Sequence, residues 1–205
     1  MILTYKKGKG DKIHISLDGE YFMTVDEMYF ESLYLRNGQE IDREGFLELK
    51  SLIEVRRAYN YAVSLLSRRD HSYKELLTKL KNKGYGEGAE EALEKLCQSG
   101  YIDDERFANL YARELINLKG FGIKRVEQEL YRKGVDRDII REVLDSADFP
   151  EERLTEIIRR KYIRNLNDEK GVRRTINSLI RLGYSYGEIR SALEEVNNEL
   201  EVFDE

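Results

Sequence analysis

The fold of this chain is decided by residues 100–134, GYIDDERFANLYARELINLKGFGIKRVEQELYRKG. The second half of that stretch, residues 122–134, recurs in related form at residues 72–84 and 171–183. Each of the three segments ends in glycine and carries a leucine four residues earlier: Leu80 and Gly84, Leu130 and Gly134, Leu179 and Gly183. The glycines are 50 and 49 residues apart. A period near fifty residues indicates a repeat protein, in which stacking completes the core that one repeat alone cannot form.

Apolar spacing around these segments predicts helices in groups of three. Phe107, Tyr111, Leu115 and Leu118, for example, fall on one face of the helix that precedes the central segment. We therefore predict a mainly α-helical fold of three tandem three-helix repeats in an elongated array, preceded by a small N-terminal α+β element. The predicted boundaries are 1–50 for that element and 51–102, 103–148 and 149–205 for the repeats, the last with an acidic tail from Glu194 to Glu205.

The N-terminal element has a different pattern from the repeats. Ile13, Ile15 and Leu17 alternate with polar residues, as in a half-buried strand, and Asp18-Gly19 is a strong hairpin signal. A return strand should follow, and then a short helix over residues 26–35 that begins at an aspartate cap. We expect a small antiparallel β element.

Capping residues mark the ends of the predicted helices. Ser72, with Glu75 three residues later, makes a capping box. Glycine in the left-handed conformation commonly ends a helix. The residues predicted as structural caps are Ser72, Asp103 and Asp104 at helix starts and Gly84, Gly134 and Gly183 at helix ends.

Composition limits the class of protein. The chain has 205 residues, a formal net charge of −5 and one cysteine. A single cysteine provides no intrachain disulfide framework and fits a reducing cytosol. Cys97 follows Leu96 on a predicted core-facing helix, so we expect a small buried thiol. Without a run of about 18 apolar residues or an apolar leader, we expect neither a membrane span nor a signal peptide.

Candidate catalytic and metal sites are weak. Asp103-Asp104 is a carboxylate pair, but helix capping accounts for both residues. Gly120-Phe121-Gly122 lacks the preceding strand and the glycine spacing of a phosphate-binding loop, so a turn between helices is favoured. His14 and His71 stand alone, without the spacing of a zinc site. We predict no catalytic residue, no metal and no cofactor.

Basic residues of the middle helix in each repeat give the best functional signal. Lys124-Arg125 and Arg173-Arg174 occupy equivalent positions, second and third after a glycine. Charge repeated at one place on a repeat protein predicts a stripe that suits an extended polyanion or a filament, whereas the plain alternative is a set of solvated helix faces. The candidate binding residues are Arg68, Arg69, Lys79, Lys83, Lys124, Arg125, Arg132, Lys133, Arg173, Arg174 and Arg181.

Tyrosines near the repeat joints are a second, weaker signal. Most should be packing residues with a solvated hydroxyl, and a few could stack on bases beside arginine. They are Tyr85, Tyr101, Tyr131, Tyr162 and Tyr184.

Several of these segments together resemble the RecX family of bacterial regulatory proteins. The resemblance rests on Ala58–Arg69 (AYNYAVSLLSRR), Ser72–Leu80 (SYKELLTKL) and Tyr101–Ala108 (YIDDERFA), and extends over about residues 57–200. It implies three three-helix repeats in a curved molecule that binds in the groove of the RecA nucleoprotein filament. It also implies inhibition of RecA ATP hydrolysis, strand exchange and co-protease activity, in DNA repair, recombination and the SOS response, without catalytic residues.

Two hypotheses follow. The first is a monomeric, cytoplasmic, non-enzymatic regulator that binds RecA and the RecA–DNA filament, with weak direct DNA contact at most. The alternative is a helical DNA-binding protein that acts without RecA, which predicts a steep dependence of affinity on salt. The net charge of −5 speaks against the alternative.

Overall fold

The structure, a computed structural model, describes residues 1–150 and 152–203, and for residues 199–203 only the backbone. It is mainly helical with a small N-terminal antiparallel sheet, which confirms the predicted fold class. The predicted acidic tail from Glu199 onward lies outside the described side chains. No helix in the described part of the chain has the length and apolarity needed to cross a membrane.

The sheet has the order β3-β2-β1-β4 and is antiparallel throughout. Asp18 and Gly19, with φ of 49° and 84°, make the predicted tight turn between the second and third strands. The fourth strand was not predicted, because two residues are too few for a periodic signal. The strands are β1 (Ile2–Lys7), β2 (Lys12–Leu17), β3 (Glu20–Asp26) and β4 (Gln39–Glu40).

The helices follow the sequence periodicity closely. The first is shorter than predicted and ends at Ser32 rather than near residue 35, since Tyr34 has φ 52° and cannot continue it. The helices are α1 (Glu27–Ser32), α2 (Arg43–Leu66), α3 (Tyr73–Asn82), α4 (Gly86–Gln98), α5 (Asp104–Glu114), α6 (Ile123–Lys133), α7 (Arg137–Ser146), α8 (Glu152–Lys161), α9 (Glu169–Arg181) and α10 (Tyr186–Phe203). A π-helical turn, Leu115–Lys119, extends α5, and a 3-10 turn, Ile163–Asn165, follows α8.

Contacts divide the chain into two compact units. The first contains Met1–Ser64 and Lys79–Leu96. Its main core lies between the sheet and α2, where Leu3 and Ile15 pack with Ile53 and all three are fully buried. The alternation predicted for β2 produces this core, because every second side chain of a strand points to the same face.

The second unit contains Leu65–Thr78 and Cys97–Glu205. One of its cores joins α5, α6 and α7 around Val126 and Leu130. Another joins α8, α9 and α10 around Ile158 and Leu179. The predicted repeat boundaries remain a prediction.

The three repeated glycines end their helices in the same way. The amide after each glycine donates to the carbonyl of the repeated leucine: Tyr85 to Leu80, Val135 to Leu130 and Tyr184 to Leu179, at 3.0, 3.3 and 3.3 Å. Gly84, Gly134 and Gly183 all have positive φ. These are Schellman caps, in which the glycine after the helix takes the left-handed conformation. The leucines are fully buried, so each also anchors its helix in a core.

Leu118 and Cys97, which the sequence predicts to face the core, are exposed. Leu118 is 78% exposed because the chain changes from α-helix to π-helix at Leu115, which alters the rotation per residue and turns this side chain outward. Cys97 is also exposed, because it follows buried Leu96 and each helical residue turns about 100° from the last. The predictions for Leu118 and Cys97 were wrong for these reasons.

Candidate partner-binding surface on the middle helices

The start of α3 meets the end of α6 within the second unit. Ser72 Oγ donates to the Lys133 carbonyl at 2.5 Å and accepts from the Glu75 amide at 3.2 Å. A Cβ on Gly134 would overlap the side chain of Lys74, so the two helix ends are closely packed. Ser72 therefore caps the start of α3, and it also satisfies a carbonyl at the end of α6.

The start of α6 meets the end of α9 in a second joint. The Gly122 amide donates to the Leu182 carbonyl at 2.8 Å. A Cβ on Gly122 would lie 2.8 Å from the Gly183 carbonyl, and one on Gly183 would overlap the Arg125 backbone. Gly120-Phe121-Gly122 thus forms the predicted turn, with Gly120 left-handed at φ 67°. In both joints the C-terminus of one helix meets the N-terminus of another, so the negative end of one helix dipole lies beside the positive end of the other.

End-to-end packing gathers the candidate cations at the joints. Lys124 and Arg125 begin α6 beside the end of α9, which carries Arg181. Arg132 and Lys133 end α6 beside the start of α3. The repeated positions are not equal within their helices: Lys124 is the second residue of α6, whereas Arg173 is the fifth residue of α9, which begins at Glu169.

Glu75 neutralises the cations of the first joint. Its carboxylate accepts from Arg69 at 3.0 and 3.1 Å and from Lys133 Nζ at 2.7 Å, and His71 Nδ1 lies 3.2 Å away. Burial alone would raise the pKa of Glu75, but Arg69 and Lys133 outweigh it and lower the pKa to about 2. Arg69 and Lys133 are therefore engaged in ion pairs within the fold, and their charges are already balanced by Glu75.

Glu129 neutralises cations of α6 in a similar way. It is 9% exposed, and its carboxylate lies 2.6 Å from Arg125 and 3.1 Å from Arg132. Arg125 also lies over the Phe121 ring, 5.6 Å from its centroid. These contacts hold the guanidinium groups of Arg125 and Arg132 in place. The single negative charge of Glu129 offsets half of their combined positive charge.

The remaining candidate cations point outward. Within the described part of the chain, Arg173 forms an exposed ion pair with Glu169 at 3.3 Å, and Arg181 donates to the Asn177 carbonyl at 3.3 Å and to Ser178 Oγ at 3.5 Å. Among the described residues, five others have no side-chain hydrogen bond or ion pair: Arg68, Lys79, Lys83, Lys124 and Arg174. Unpaired cations on helices are the groups that can neutralise phosphate or carboxylate on a partner.

The aspartate pair caps two different helices. Asp103 caps its own helix, α5, accepting from the Arg106 amide at 2.8 Å. Asp104 accepts instead from the Tyr73 amide at 2.7 Å, at the first residue of α3. Burial, offset in part by that amide, raises the pKa of Asp104. Asp104 thus caps α3 and links the starts of two helices.

Metal and base-stacking features are limited. The described side chains, those of residues 1–150 and 152–198, contain no group of three or more His, Cys, Asp or Glu placed to hold a metal ion. Of the tyrosines singled out from the sequence, Tyr184 is buried and donates to the Gly120 carbonyl at 3.2 Å. Tyr131 is 58% exposed with Arg137 5.8 Å from its ring centroid, and Tyr101 is also 58% exposed.

Sequence reasoning missed the two acids that organise this surface. Glu75 was considered only as half of a capping box. Glu129 lies four residues after Arg125 and three before Arg132, so helical ion-pair spacing could have identified it. The partner of Lys133 could not be identified in this way, because Glu75 is 58 residues away in sequence.

The fold and this surface together define a class of helical-repeat proteins. In this class, helices that pack end to end carry the cations. Family models identify which member of the class this is. Residues 58–96 match the first three-helix domain of RecX, and residues 103–144 match the second. The chain belongs to the RecX family.

Individual relatives cover nearly the whole chain. A regulatory protein RecX from Caldanaerobacter subterraneus subsp. tengcongensis is 33% identical over 189 residues, which cover 92% of this chain and 95% of the relative. One from Listeria innocua is 32% identical over 95% of this chain and 74% of its own length. The homologues are thus named as regulatory proteins.

Solved structures show the same fold. A crystal structure of regulatory protein RecX superposes with a TM-score of 0.68 at 23% identity, covering 96% of this chain and 98% of that one. RecX from Lactobacillus salivarius gives 0.63 at 24% identity, covering 71% of this chain and 98% of that one.

Proposed function

We propose that this chain binds RecA and its nucleoprotein filament and inhibits the ATPase, strand-exchange and co-protease activities of RecA. Membership of a family whose members are named regulatory proteins supports a regulatory role. We propose that this role is non-enzymatic and lies in DNA repair, recombination and the SOS response. We propose that it acts in the cytoplasm as a monomer. The filament already supplies a repeating surface, so one copy of the chain is enough to make several contacts.

The observation that carries the proposal is the end-to-end packing of α3, α6 and α9. Successive helices joined at their ends present outward cations, such as Lys124 and Arg174, along more than one repeat. A periodic partner can be contacted at several of these points at once, and several weak contacts add to useful affinity. We propose that these contacts compete with those between adjacent RecA protomers.

The test uses cations that have no partner within the described chain. The double variant Lys124→Glu and Arg174→Glu should inhibit the RecA ATPase on single-stranded DNA only at about tenfold higher concentration, corresponding to about 1.4 kcal/mol. The internal ion pairs of Glu75 and Glu129 remain in this variant, so the fold is kept.

The matched control is Lys6→Glu with Lys12→Glu on the N-terminal sheet, which makes the same change in net charge. It should inhibit like the parent chain. Equal inhibition by both double variants would contradict the role of the middle helices. Binding of the labelled parent chain to bare single-stranded DNA as tightly as to RecA filaments would favour the DNA-binding alternative.

A further inference from the structure

An apolar groove with a volume of about 880 Å³ runs between α6 and α7, within the second unit. Its floor contains buried Ile140 and half-buried Leu144 of α7. Ile123 and Tyr131 of α6 complete it and are 41% and 58% exposed. Single exposed apolar side chains are normal on a protein surface. Here four apolar side chains line one groove, so they form a continuous surface that a partner can cover.

Both signs of charge line the groove around this floor. The charged lining residues are Arg132, Arg137, Arg141, Glu127 and Asp145. Among the described residues, the two acids have no ion pair or side-chain hydrogen bond. A surface with one sign of charge suits a polyanion, whereas tyrosine, arginine and apolar side chains inside a rim of mixed charge are typical of a protein interface. The groove therefore suits a polypeptide.

Arg137 is the free guanidinium of the groove. Arg132 and Arg141 already have carboxylate partners on their own helices, at 3.1 and 2.8 Å. Within the described part of the chain, Arg137 has no ion pair or side-chain hydrogen bond, and its guanidinium lies 5.8 Å from the centroid of the Tyr131 ring. It is the first residue of α7, so it lies at the end of the groove beside the loop that joins the two helices. A free arginine fork at this end suits a carboxylate of the partner.

The walls of the groove favour a helical partner over an extended one. The backbone groups inside α6 and α7 are bonded within each helix, so the groove offers no main-chain partners to a strand. A segment that covers an apolar floor has to pair its own backbone groups, and a helix does so. Ile123 and Tyr131 are eight residues apart, about 12 Å along α6, which matches about two turns of a docked helix.

We propose that this groove binds an amphipathic helix of RecA, with the apolar face of that helix on the floor and an acidic residue of it at Arg137. The inference rests on the proposed function, because RecA is the partner proposed there. It adds a contact of different chemistry. The cations of the middle helices act through charge, whereas the groove acts mainly through apolar burial, which salt does not screen.

The first test measures inhibition of the RecA ATPase on single-stranded DNA by the variant Tyr131→Ala with Arg137→Gln. Half inhibition should require about tenfold more of this variant than of the parent chain, because exposed tyrosine and arginine are frequent hot spots of interfaces. The factor should persist when the salt concentration is raised, since the contact is mainly apolar.

The matched control is Tyr186→Ala with Arg190→Gln, which removes the same two groups from α10, where Tyr186 is 64% exposed. It should inhibit like the parent chain. Thermal melting of the three proteins shows that each is folded. Equal inhibition by the groove variant, the control and the parent overturns the proposal.

A photocrosslinker identifies the occupant of the groove. The variant Tyr131→p-benzoylphenylalanine is irradiated with the RecA filament, with Tyr186→p-benzoylphenylalanine as the control, and the cross-linked peptides are identified by mass spectrometry. A RecA segment with apolar residues at helical spacing and a neighbouring Asp or Glu, captured only from position 131, supports the proposal. Cross-links from position 131 to DNA, to a second copy of this chain, to its own residues 199–205 or to a RecA segment without that spacing overturn it.

The two proposals fail in different ways. A parent chain that does not inhibit RecA contradicts the proposed function, and the groove proposal falls with it. A parent chain that inhibits RecA, while position 131 gives no cross-link to RecA, overturns the groove proposal alone.

Discussion

At the residue scale, Glu75 turns two potential binding cations into structural ones. It holds Arg69 from the loop before α3 and Lys133 from the end of α6, at 3.0 and 2.7 Å. Its side chain is 17% exposed, so the charges are only partly screened by solvent. A count of basic residues along the sequence therefore overstates the charge available to a partner.

Replacing this carboxylate should cost stability in a pH-dependent way. The pKa of Glu75 is lowered from an ordinary 4.5 to about 2, so its contribution is complete above pH 4.5 and is lost as the pH falls toward 2. We expect Glu75→Gln to lower the free energy of unfolding by on the order of 2 kcal/mol at pH 7. The difference should shrink toward zero near pH 2, measured by urea unfolding at a series of pH values.

Glu87→Gln is the matched control. Glu87 also lies in the first turn of a helix and pairs with a lysine, Lys50 at 3.1 Å, but it is 74% exposed. Exposed pairs contribute little, so this variant should change stability by less than about 1 kcal/mol. A pH-independent loss in Glu75→Gln would refute the ion-pair explanation.

At the scale of elements, glycines at equivalent Schellman caps have different roles. Gly84 and Gly183 both end a middle helix with positive φ, 89° and 97°. A Cβ on Gly84 would meet nothing within 4 Å, whereas one on Gly183 would overlap the Arg125 backbone. The first glycine serves backbone conformation alone, and the second also allows α9 to pack against α6.

Replacing Gly84 and Gly183 separately by alanine measures how much close packing at the joint between α6 and α9 adds to the cost of the substitution. Gly84→Ala should destabilise the protein by about 1 kcal/mol, the cost of a left-handed alanine. Gly183→Ala should cost about 2–4 kcal/mol, since overpacking against backbone is added. Urea unfolding of both variants gives the difference, and equal losses would show that the joint tolerates a methyl group.

At the scale of the whole molecule, the two units are interleaved along the chain. The chain passes from one to the other after Ser64 in α2, after Thr78 in α3 and after Leu96 in α4. Each crossing lies inside a helix, and a helix is cooperative along its length. Melting one unit alone would therefore break α3 near its middle and detach the last two residues of α2 and of α4.

We expect a single unfolding transition for this reason. Gly88→Ala acts in the first unit, where a Cβ on α4 would overlap the backbone of Glu54 and Val55 in α2. It should lower the midpoint of the same transition that Gly183→Ala lowers in the second unit, by an amount corresponding to about 1–3 kcal/mol.

Circular dichroism during heating gives the readout. Gly86→Ala in the same helix is the control, because its Cβ would meet nothing within 4 Å, and it should leave the midpoint unchanged or raise it slightly. Two separate transitions in Gly88→Ala, with only one shifted, would show that the units unfold independently.

The sequence by itself determined the helices, their ends and the family. Amphipathic spacing, capping residues and the repeated leucine and glycine are local signals, since each acts within a turn or two of helix. They were enough to predict the helical repeats and the N-terminal hairpin. They failed at Leu118, where a π-helical turn changes the phase of the pattern.

Only the tertiary structure decided which cations are paired within the fold and which are left unpaired at the surface. Lys133 is paired because Glu75 is brought to it from 58 positions away, while Lys124 is left unpaired. Asp104 caps α3 rather than its own helix, because the Tyr73 amide is brought within 2.7 Å of its carboxylate. Charges and backbone groups act through space over a few ångströms, and the sequence does not state which distant residues fall within that range.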